Sequence, residues 1–423
     1  MHRVLALREY ERASIGDRWD PQTRMVSREV AARLEALQAR QDAEFLSFGR
    51  RTLQAQQYVG TVGLGDCAID LLPKVDQRDD ARVRAQLVSM LAVAGIIPDL
   101  EAGTTGLASH EATLLDAYLA TYTRKLVAEW RRGPIRDYQR EDRRRDCLRG
   151  KLLVARQIRE SLRDPMGFHT RADELIHDVP LTRVLKRALE ICRRHAVSHA
   201  IRQEASGLLQ DFAHVGESRA GEAERVIADR RHARFAPLLE LARLLIRGAS
   251  PDRAGAAMTY SLVFDMNVVF ERYVGRLLAR LCTGRGLTAS LQHEGSSLLL
   301  LEGRPKFRLR PDVAIHERDR LRCLIDTKWK RLDPEQPNWG ISQADMYQMY
   351  AYGKEYACPR VVLVYPRFGE LPLDVATYRH HPGEASSLRI DVRCIEVGAG
   401  AARAVRDMDQ IVSSGRSREG SSE

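Results

Sequence analysis

Two kinds of hydrophobic pattern alternate along this chain, and the changes between them divide it. Near the start, "HRVLALREYERASI" and "AQQYVGTVGLGDCAIDLLPKV" carry the short apolar runs of strands, with Gly60, Gly63 and Gly65 at the expected turns. Between them, "VSREVAARLEALQARQDAE" repeats its apolar positions at helical spacing. These pieces predict a small α+β module over residues 1–80 with a projecting hairpin. From Ala81 to about Leu245 the pattern is mostly helical. Helices are expected at Ala81–Ala94, Ser109–Arg132, Leu148–Leu162, Leu181–Leu209 and Arg230–Leu245. "SPDRAGAA", residues 250–257, reads as a boundary. A long apolar-rich helix is expected through "MTYSLVFDMNVVFERYVGRLLARLC". Strands follow at Ser296–Leu301, Phe307–Ile315, Leu321–Ile325, Arg360–Tyr365 and Leu388–Ile395. A helix at Ala344–Tyr356 crosses between the third and fourth of them, which predicts a mixed sheet. Residues 401–423 turn polar, end in "SSGRSREGSSE" and read as a mobile tail. The fold class expected is α+β and multidomain, divided at 1–80, 81–250, 251–400 and 401–423.

Charge adds a class of partner to this picture. Among 423 residues, 67 Lys and Arg stand against 57 Asp and Glu, a formal charge of +10, with a pI near 9.4. Such a balance favours polyanions without separating DNA from RNA. Two basic stretches stand out. One holds Arg131, Arg132, Arg136 and Arg140, the other Arg143, Arg144, Arg145, Arg149 and Lys151. They read equally well as a phosphate-tracking surface or as a solvated helix face interleaved with Glu141, Asp142 and Asp146. The seven cysteines are scattered singly, with no C-x-x-C pair, so neither a zinc site nor a disulfide framework is indicated. No leader-like start and no uninterrupted membrane-length apolar run appear, and a reducing cytoplasm is the expected setting. The glycines near residue 60 are too irregular for a phosphate cradle and no G-K-[ST] follows, so no nucleotide site is read here.

The candidate chemistry lies in "RLRPDVAIHERDRLRCLIDTKWK", residues 308–330. A strand carrying Pro311-Asp312, a short polar turn and a second strand ending in Asp326-Thr327-Lys328 bring both carboxylates to one sheet edge. Asp312 and Asp326 supply the hard oxygens that divalent cations prefer. Asp326 and Lys328, two apart, share a strand face. A carboxylate-held metal beside an ammonium suits phosphodiester hydrolysis. The spacing Asp–x13–Asp–x–Lys is that of PD-(D/E)xK phosphodiesterases. "DTK" at a strand end also arises by chance as a solvated terminus, and it is the upstream Pro-Asp and the downstream helix that give it weight. In that helix Ser342 is a capping residue with Asp345 three positions on, and Gln348 and Tyr352 share a face. This pair suits holding a phosphate or positioning Lys328. The stripe Tyr347, Tyr350, Tyr352 and Tyr356 also suits packing on a sheet. Asp265 and Glu271 are unusual in so apolar a segment and need water, partners or metal. Glu271 reads as a direct or water-bridged metal ligand, or as half of a structural ion pair.

Taken together these residues resemble the McrC family, the nuclease subunit of McrBC-type modification-dependent (type IV) restriction systems. The resemblance covers nearly the whole chain. Its strongest pieces are "FDMNVVFERYV" (264–274), "LRPDVAI" (309–315), "LIDTKWK" (324–330), "DMYQMYAY" (345–352) and "VVLVYP" (361–366). Weaker ones are "AIDLLPKV" (68–75), "CLRGKLLVARQI" (147–158) and "ELIHDVPLTRVLKRAL" (174–189). The resemblance implies a C-terminal restriction-endonuclease-like domain. In it Asp312 and Asp326 are metal-binding carboxylates, Lys328 is the catalytic lysine, Glu271 is the acidic residue of the preceding helix and Thr327 lends its backbone carbonyl to a metal. Gln348 and Tyr352 resemble the supporting pair of RecB-like nucleases. It implies Mg²⁺, with Mn²⁺ as a substitute. The implied partner is an McrB-like AAA+ GTPase that binds GTP itself, is stimulated by the N-terminal module and reads methylated double-stranded DNA. No membrane is involved. Two alternatives stand beside this: a non-catalytic activator and scaffold of the motor, and a stand-alone RecB-like DNA nuclease.

Overall fold

A computed structural model describes residues 3–64, 67–76, 79–97, 114–160, 162–163, 166–251, 258–293, 295–318, 320–379, 388–397 and 401–413. The chain forms two compact units, Met1–Ala117 with Pro251–Glu423, and Tyr118–Ser250. These bounds differ from the sequence division, because the first and last parts of the chain share one unit.

In the first unit, strands Arg3–Arg8 and Cys67–Leu72 pair in parallel, and Cys67–Leu72 pairs antiparallel with Tyr58–Gly63. Tyr58–Gly63 pairs in turn with Met258–Asp265. That last strand corrects the long helix expected from Met258. Its apolar run has no helical period, and backbone pairing with Tyr58–Gly63 decides it. Asp265 is therefore no stray charge. It caps the following helix by accepting from Asn267 N at 2.8 Å. Gly60 lies inside a strand rather than at a turn. Its φ is +140°, and a Cβ there would meet the Leu262 carbonyl oxygen at 2.0 Å, so the two strands approach closely only because the residue is glycine. Gly63 ends the same strand, and Gly65 lies outside the described residues. A small second sheet, in the order Met25–Ser27, Arg12–Gly16, Thr52–Ala55, Leu46–Phe48, shares a core with helix Arg28–Gln38 built from Leu34, Leu37, Phe45 and Leu53. Strands and a helix alternate here as expected, and the larger sheet is completed by Met258–Asp265 from outside residues 1–80.

The sheet that carries the candidate chemistry has six strands, namely β1 (Leu287–Leu291), β2 (Val313–Glu317), β3 (Arg320–Thr327), β4 (Arg360–Pro366), β5 (Asp374–Arg379) and β6 (Arg389–Ile395). Their order is β1-β2-β3-β4-β6-β5. Pairing is antiparallel from β1 to β3, parallel from β3 through β4 to β6, and antiparallel to β5. The expected mixed sheet is present, with β1 and β5 added to it. Helix α1 (Met266–Thr283) packs Val269, Phe270, Tyr273, Val274 and Leu277 inward. Helix α2 (Gln343–Glu355) connects β3 to β4 and starts at Ser342, whose hydroxyl accepts from Asp345 N. β4 is buried along its whole length, as a central strand covered on both faces must be.

Several other expectations change. Phe307–Ile315 is not one strand. Arg304–Leu309 pairs with Ser296–Leu301 in a separate two-stranded ribbon, and β2 begins only after Asp312. The ribbon turns through Glu302 (φ +51°) and Gly303 (φ +73°), the two positive φ values of a tight hairpin. The tyrosine stripe splits, with Tyr352 buried and Tyr347 and Tyr350 exposed. Residues 401–413 are not the start of a polar tail but a helix that buries Ala404, Met408, Ile411 and Val412. Arg360 Nη1 donates to the Ile411 carbonyl at 2.7 Å. The rest of that tail lies outside the described residues.

In the second unit Tyr122 donates to the Leu185 carbonyl at 2.8 Å, and Trp130 stacks on Phe212 with centroids 4.3 Å apart. The helix expected at Leu181–Leu209 is two, Pro180–His195 and His199–Asp211. Leu148–Leu162 contains a short strand, Lys151–Leu152, before helix Val154–Glu160. The expected helix from Arg230 opens with a 3₁₀ segment and becomes α-helical at Ala236. Ser109 to Thr113 lie outside the described residues, and the helix there is Leu114–Arg131. The basic stretch is not a helix face. Asp137–Arg145 is a strand paired with Phe168–Ile176, and the register sets Arg171 opposite Asp142 and Arg140 opposite Asp173. Arg171 grips Asp142 through two hydrogen bonds of 2.6 and 2.7 Å, and Arg145 pairs with Glu174 at 2.9 Å. Cross-strand ion pairs hold together a ribbon that has few apolar residues to do so.

Candidate active site

The antiparallel register Val313↔Ile325 carries Asp312, one residue before β2, up to Asp326 near the end of β3. Asp312 Oδ2 accepts two hydrogen bonds from Thr327, from the backbone N–H and from the hydroxyl, each 2.7 Å. Thr327 thus orients the Asp312 carboxylate through two donors, a role the sequence did not suggest beside its carbonyl. Asp326 is buried, and Lys328 Nζ lies 2.5 Å from its Oδ2. Pairing of β3 with β4 continues past the strand end, where Lys328 N donates to the Val364 carbonyl at 2.9 Å.

Burial pushes the Asp312 carboxyl up to about 7, and the nearby charges of Asp326 and Glu271 add to the rise against the Thr327 hydrogen bonds. Asp326 is likewise raised, by burial first and then by Asp345 and Glu271, with Lys328 opposing. Asp345 moves the other way. Its burial is outweighed by hydrogen bonds from Lys330 and Ser342, and it lies below the usual carboxylate range. A group of carboxylates that repel one another at one sheet edge is chemically suited to a hard cation. Among the described residues, however, no three His, Cys, Asp or Glu side chains close around one point. Glu271 contributes charge to both aspartates but is tied elsewhere, since its Oε1 accepts from Gln292 Nε2 at 2.8 Å.

Lys328 is held from a second side. Its Nζ donates to Gln348 Oε1 at 3.1 Å, Gln348 Nε2 donates to the Tyr352 hydroxyl at 2.7 Å, and that hydroxyl donates to the Arg310 carbonyl at 3.1 Å. This chain of hydrogen bonds runs from the end of β3 across one turn of α2 to the residue before Pro311-Asp312. Burial together with the aspartate charges raises the Tyr352 hydroxyl well above its ordinary range, so it remains a donor.

Three supports were not read from the sequence. Gln292, with φ +48°, donates its N–H to the Asp312 carbonyl at 2.7 Å and bridges Glu271 to Arg310 through its side chain. Tyr356, one turn beyond Tyr352, donates to the Leu309 carbonyl at 2.7 Å. The four-residue spacing Gln348, Tyr352, Tyr356 was the signal for it. Trp329, next to Lys328, is buried and donates to Glu9 Oε2 at 2.8 Å. Its ring lies 5.2 Å from that of Phe270, the neighbour of Glu271. Burial raises Glu9, against a backbone hydrogen bond from Lys74 and that of Trp329.

Fold and site together define an α+β protein of several mixed and antiparallel sheets, with an acidic cluster and a clamped lysine at the ends of two paired strands. Residues 53–366 match the model of the McrBC 5-methylcytosine restriction system component family. The chain belongs to that family. No curated protein matches it. Among solved structures it is similar to a chain of the refined half-complex from the tetradecameric assembly of Thermococcus gammatolerans McrB AAA+ hexamers with bound McrC. The TM-score is 0.75 at 19% identity, covering 96% of this chain and 100% of that one. It is also similar to a chain in the cryo-EM structure of the Thermococcus gammatolerans McrBC complex, with TM-score 0.54 at 22% identity, covering 66% and 87%. These likenesses are of fold. Among the described residues no helix is long and apolar enough to cross a membrane.

Proposed function

We propose that the chain is the Mg²⁺-dependent endodeoxyribonuclease subunit of a modification-dependent restriction complex, with a PD-(D/E)xK nuclease domain. It would cut DNA when assembled with an AAA+ GTPase motor, and would stimulate that motor through its N-terminal module. The observation that carries this reading is the juxtaposition of Asp312, Asp326 and Lys328, with Lys328 clamped by Asp326 and Gln348. Membership in the McrBC family supports the restriction setting. The partner is supported by the solved assembly of McrB AAA+ hexamers with bound McrC.

Asp312 and Asp326 would hold the cation, and Glu271, whose charge acts on both aspartates, would reach it through water. Such an ion supplies positive charge to the phosphoryl oxygens and lowers the pKa of a bound water. Thr327 fixes one oxygen of Asp312, leaving the other lone pairs of that carboxylate for the ligand. Lys328 presents N–H donors toward the charge that develops on the phosphoryl group and orients the attacking water. Gln348 and Tyr352 keep its ammonium in place.

The test is cleavage of methylated and unmethylated plasmid in Mg²⁺, with and without the AAA+ protein and GTP, and with Asp326→Ala beside the wild type. Cutting that needs the motor, GTP and methylated DNA supports the reading. Cutting without the motor makes it a stand-alone nuclease, while undiminished GTPase stimulation and full protection by Asp312→Ala make it a scaffold.

A further inference from the structure

Among the described residues, strands Ser296–Leu301 and Arg304–Leu309 pair only with each other, as a two-stranded unit. It is exposed on both faces. Leu298 and Leu300, which share one face, are 43% and 68% exposed, and Leu299 and Leu301, on the other, 57% and 60%. Phe307 is 71% exposed. A ribbon apolar on both sides suits insertion between two walls. The charge of its second strand is of one sign. The run "RPKFRLR", residues 304–310, carries four basic residues and no acid, and Arg304 and Lys306 are exposed.

The base of the ribbon is fixed beside the candidate active site. The Tyr356 hydroxyl accepts from Gly295 N and Ser296 N, each at 3.2 Å, and donates to the Leu309 carbonyl. Tyr356 follows the end of α2, four residues after Tyr352. The second strand of the ribbon then runs straight through Arg310 and Pro311 into Asp312.

We propose that this ribbon is a DNA-docking arm that lies in the major groove beside the scissile phosphodiester. A two-stranded β-ribbon fits that groove, which is about 12 Å wide. Arg304 and Lys306 contact flanking phosphates, while the leucines and Phe307 meet base edges and thymine methyl groups. The inference rests on the reading of Asp312 and Asp326 as the cutting site, but its test does not need cutting.

Binding of a fluorescent duplex by the full chain is followed by anisotropy across a salt series, in EDTA. The double variant Arg304→Ala/Lys306→Ala binds about tenfold more weakly, and its slope of log affinity against log salt falls by about 1.8, or 0.9 for each lost phosphate contact. Phe307→Ala weakens binding and leaves the slope unchanged. All three substitutions are at exposed positions, and circular dichroism confirms that the variants fold. An unchanged affinity and slope in the double variant overturns the arm, as does a wild type that ignores duplex at low salt. So does a Leu299→Ser/Leu301→Ser variant that binds DNA normally but self-associates less in sedimentation, for then the ribbon joins copies of this chain. Cleavage is read separately with the motor, GTP and Mg²⁺. A chain that binds duplex through the ribbon yet never cuts sinks the nuclease reading and leaves the arm standing.

Discussion

Lys328 and Gln348 meet between β3 and α2, Nζ to Oε1 at 3.1 Å, and the contact is only the first of three hydrogen bonds in line. Because the last of them ends on the Arg310 carbonyl, the lysine and the Pro311-Asp312 turn are held by one strut. Tyr352→Phe removes its middle without emptying the space the ring fills. The expected outcome is a fall in kcat of about tenfold to a hundredfold, since small misplacements of a reacting group are costly. KM for DNA and motor GTPase stimulation should stay unchanged. Single-turnover cleavage checks it, and a loss confined to KM would count against the strut.

Asp312 makes stability depend on pH. Its carboxyl is raised in the folded chain to about 7, so folding takes up a proton there. The stabilisation is complete below the unfolded carboxylate range and is lost as pH rises through about 7. Asp312→Asn keeps an oxygen for the two Thr327 donors and has no proton to lose. In metal-free protein the variant should melt at about the wild-type temperature at pH 4, and a few degrees above it at pH 8. Mg²⁺ at pH 8 should raise the wild-type melting temperature and leave the variant's unchanged. Differential scanning fluorimetry at the two pH values reads both effects.

Trp329→Phe keeps the aromatic packing against Phe270 and deletes the N–H that reaches Glu9. Glu9 then stays buried with Lys74 N, 2.9 Å away, as its remaining donor. A loss of about 1–3 kcal/mol is expected for an under-satisfied buried carboxylate. The midpoint of urea unfolding measures it. A midpoint equal to wild type would show that the bond contributes nothing net.

Asp391 is fully buried and accepts from Arg360 at 2.9 Å, Arg389 at 2.6 Å and Thr377 at 2.9 Å. Asp391→Ala strands the Arg360 guanidinium, and breaking such a pair costs about 3–5 kcal/mol. Since Arg360 also holds the Ile411 carbonyl, hydrogen exchange should quicken in helix Ala401–Ser413 before it does in β4. Uniform acceleration would mean that the helix does not depend on this arginine.

What was legible in the sequence is what local rules govern. The meeting of Asp312 with Asp326 follows from a hairpin, and the shared face of Gln348 and Tyr352 from helical spacing. Both relationships span few residues. The strand Met258–Asp265 was misread because an apolar run alone does not choose between helix and strand, and its partner lies some 200 residues away in Tyr58–Gly63. The strand Asp137–Arg145 stayed open between a helix face and a phosphate-tracking surface because its register is set by charge pairs across the strands, Arg171 with Asp142 and Arg140 with Asp173, rather than by hydrophobicity. Gln292 gave no signal at all. Its role depends on a positive φ and on side chains from α1 and from Arg310. Glu9 and Trp329 are 320 positions apart, and nothing local marks either for the other.

That separation has a consequence for how the molecule comes into being. The residue beside the candidate catalytic lysine is anchored on the end of the first strand, and the lysine's own backbone is pinned by Val364. A growing chain therefore carries its acidic residues unassembled until the ribosome has passed β4 and the N-terminal sheet has been found. A translation product cut short before Pro366 would hold Asp312, Asp326 and Lys328 without the frame that aims them, so under the proposed nuclease function a fragment left by interrupted synthesis would not cut DNA.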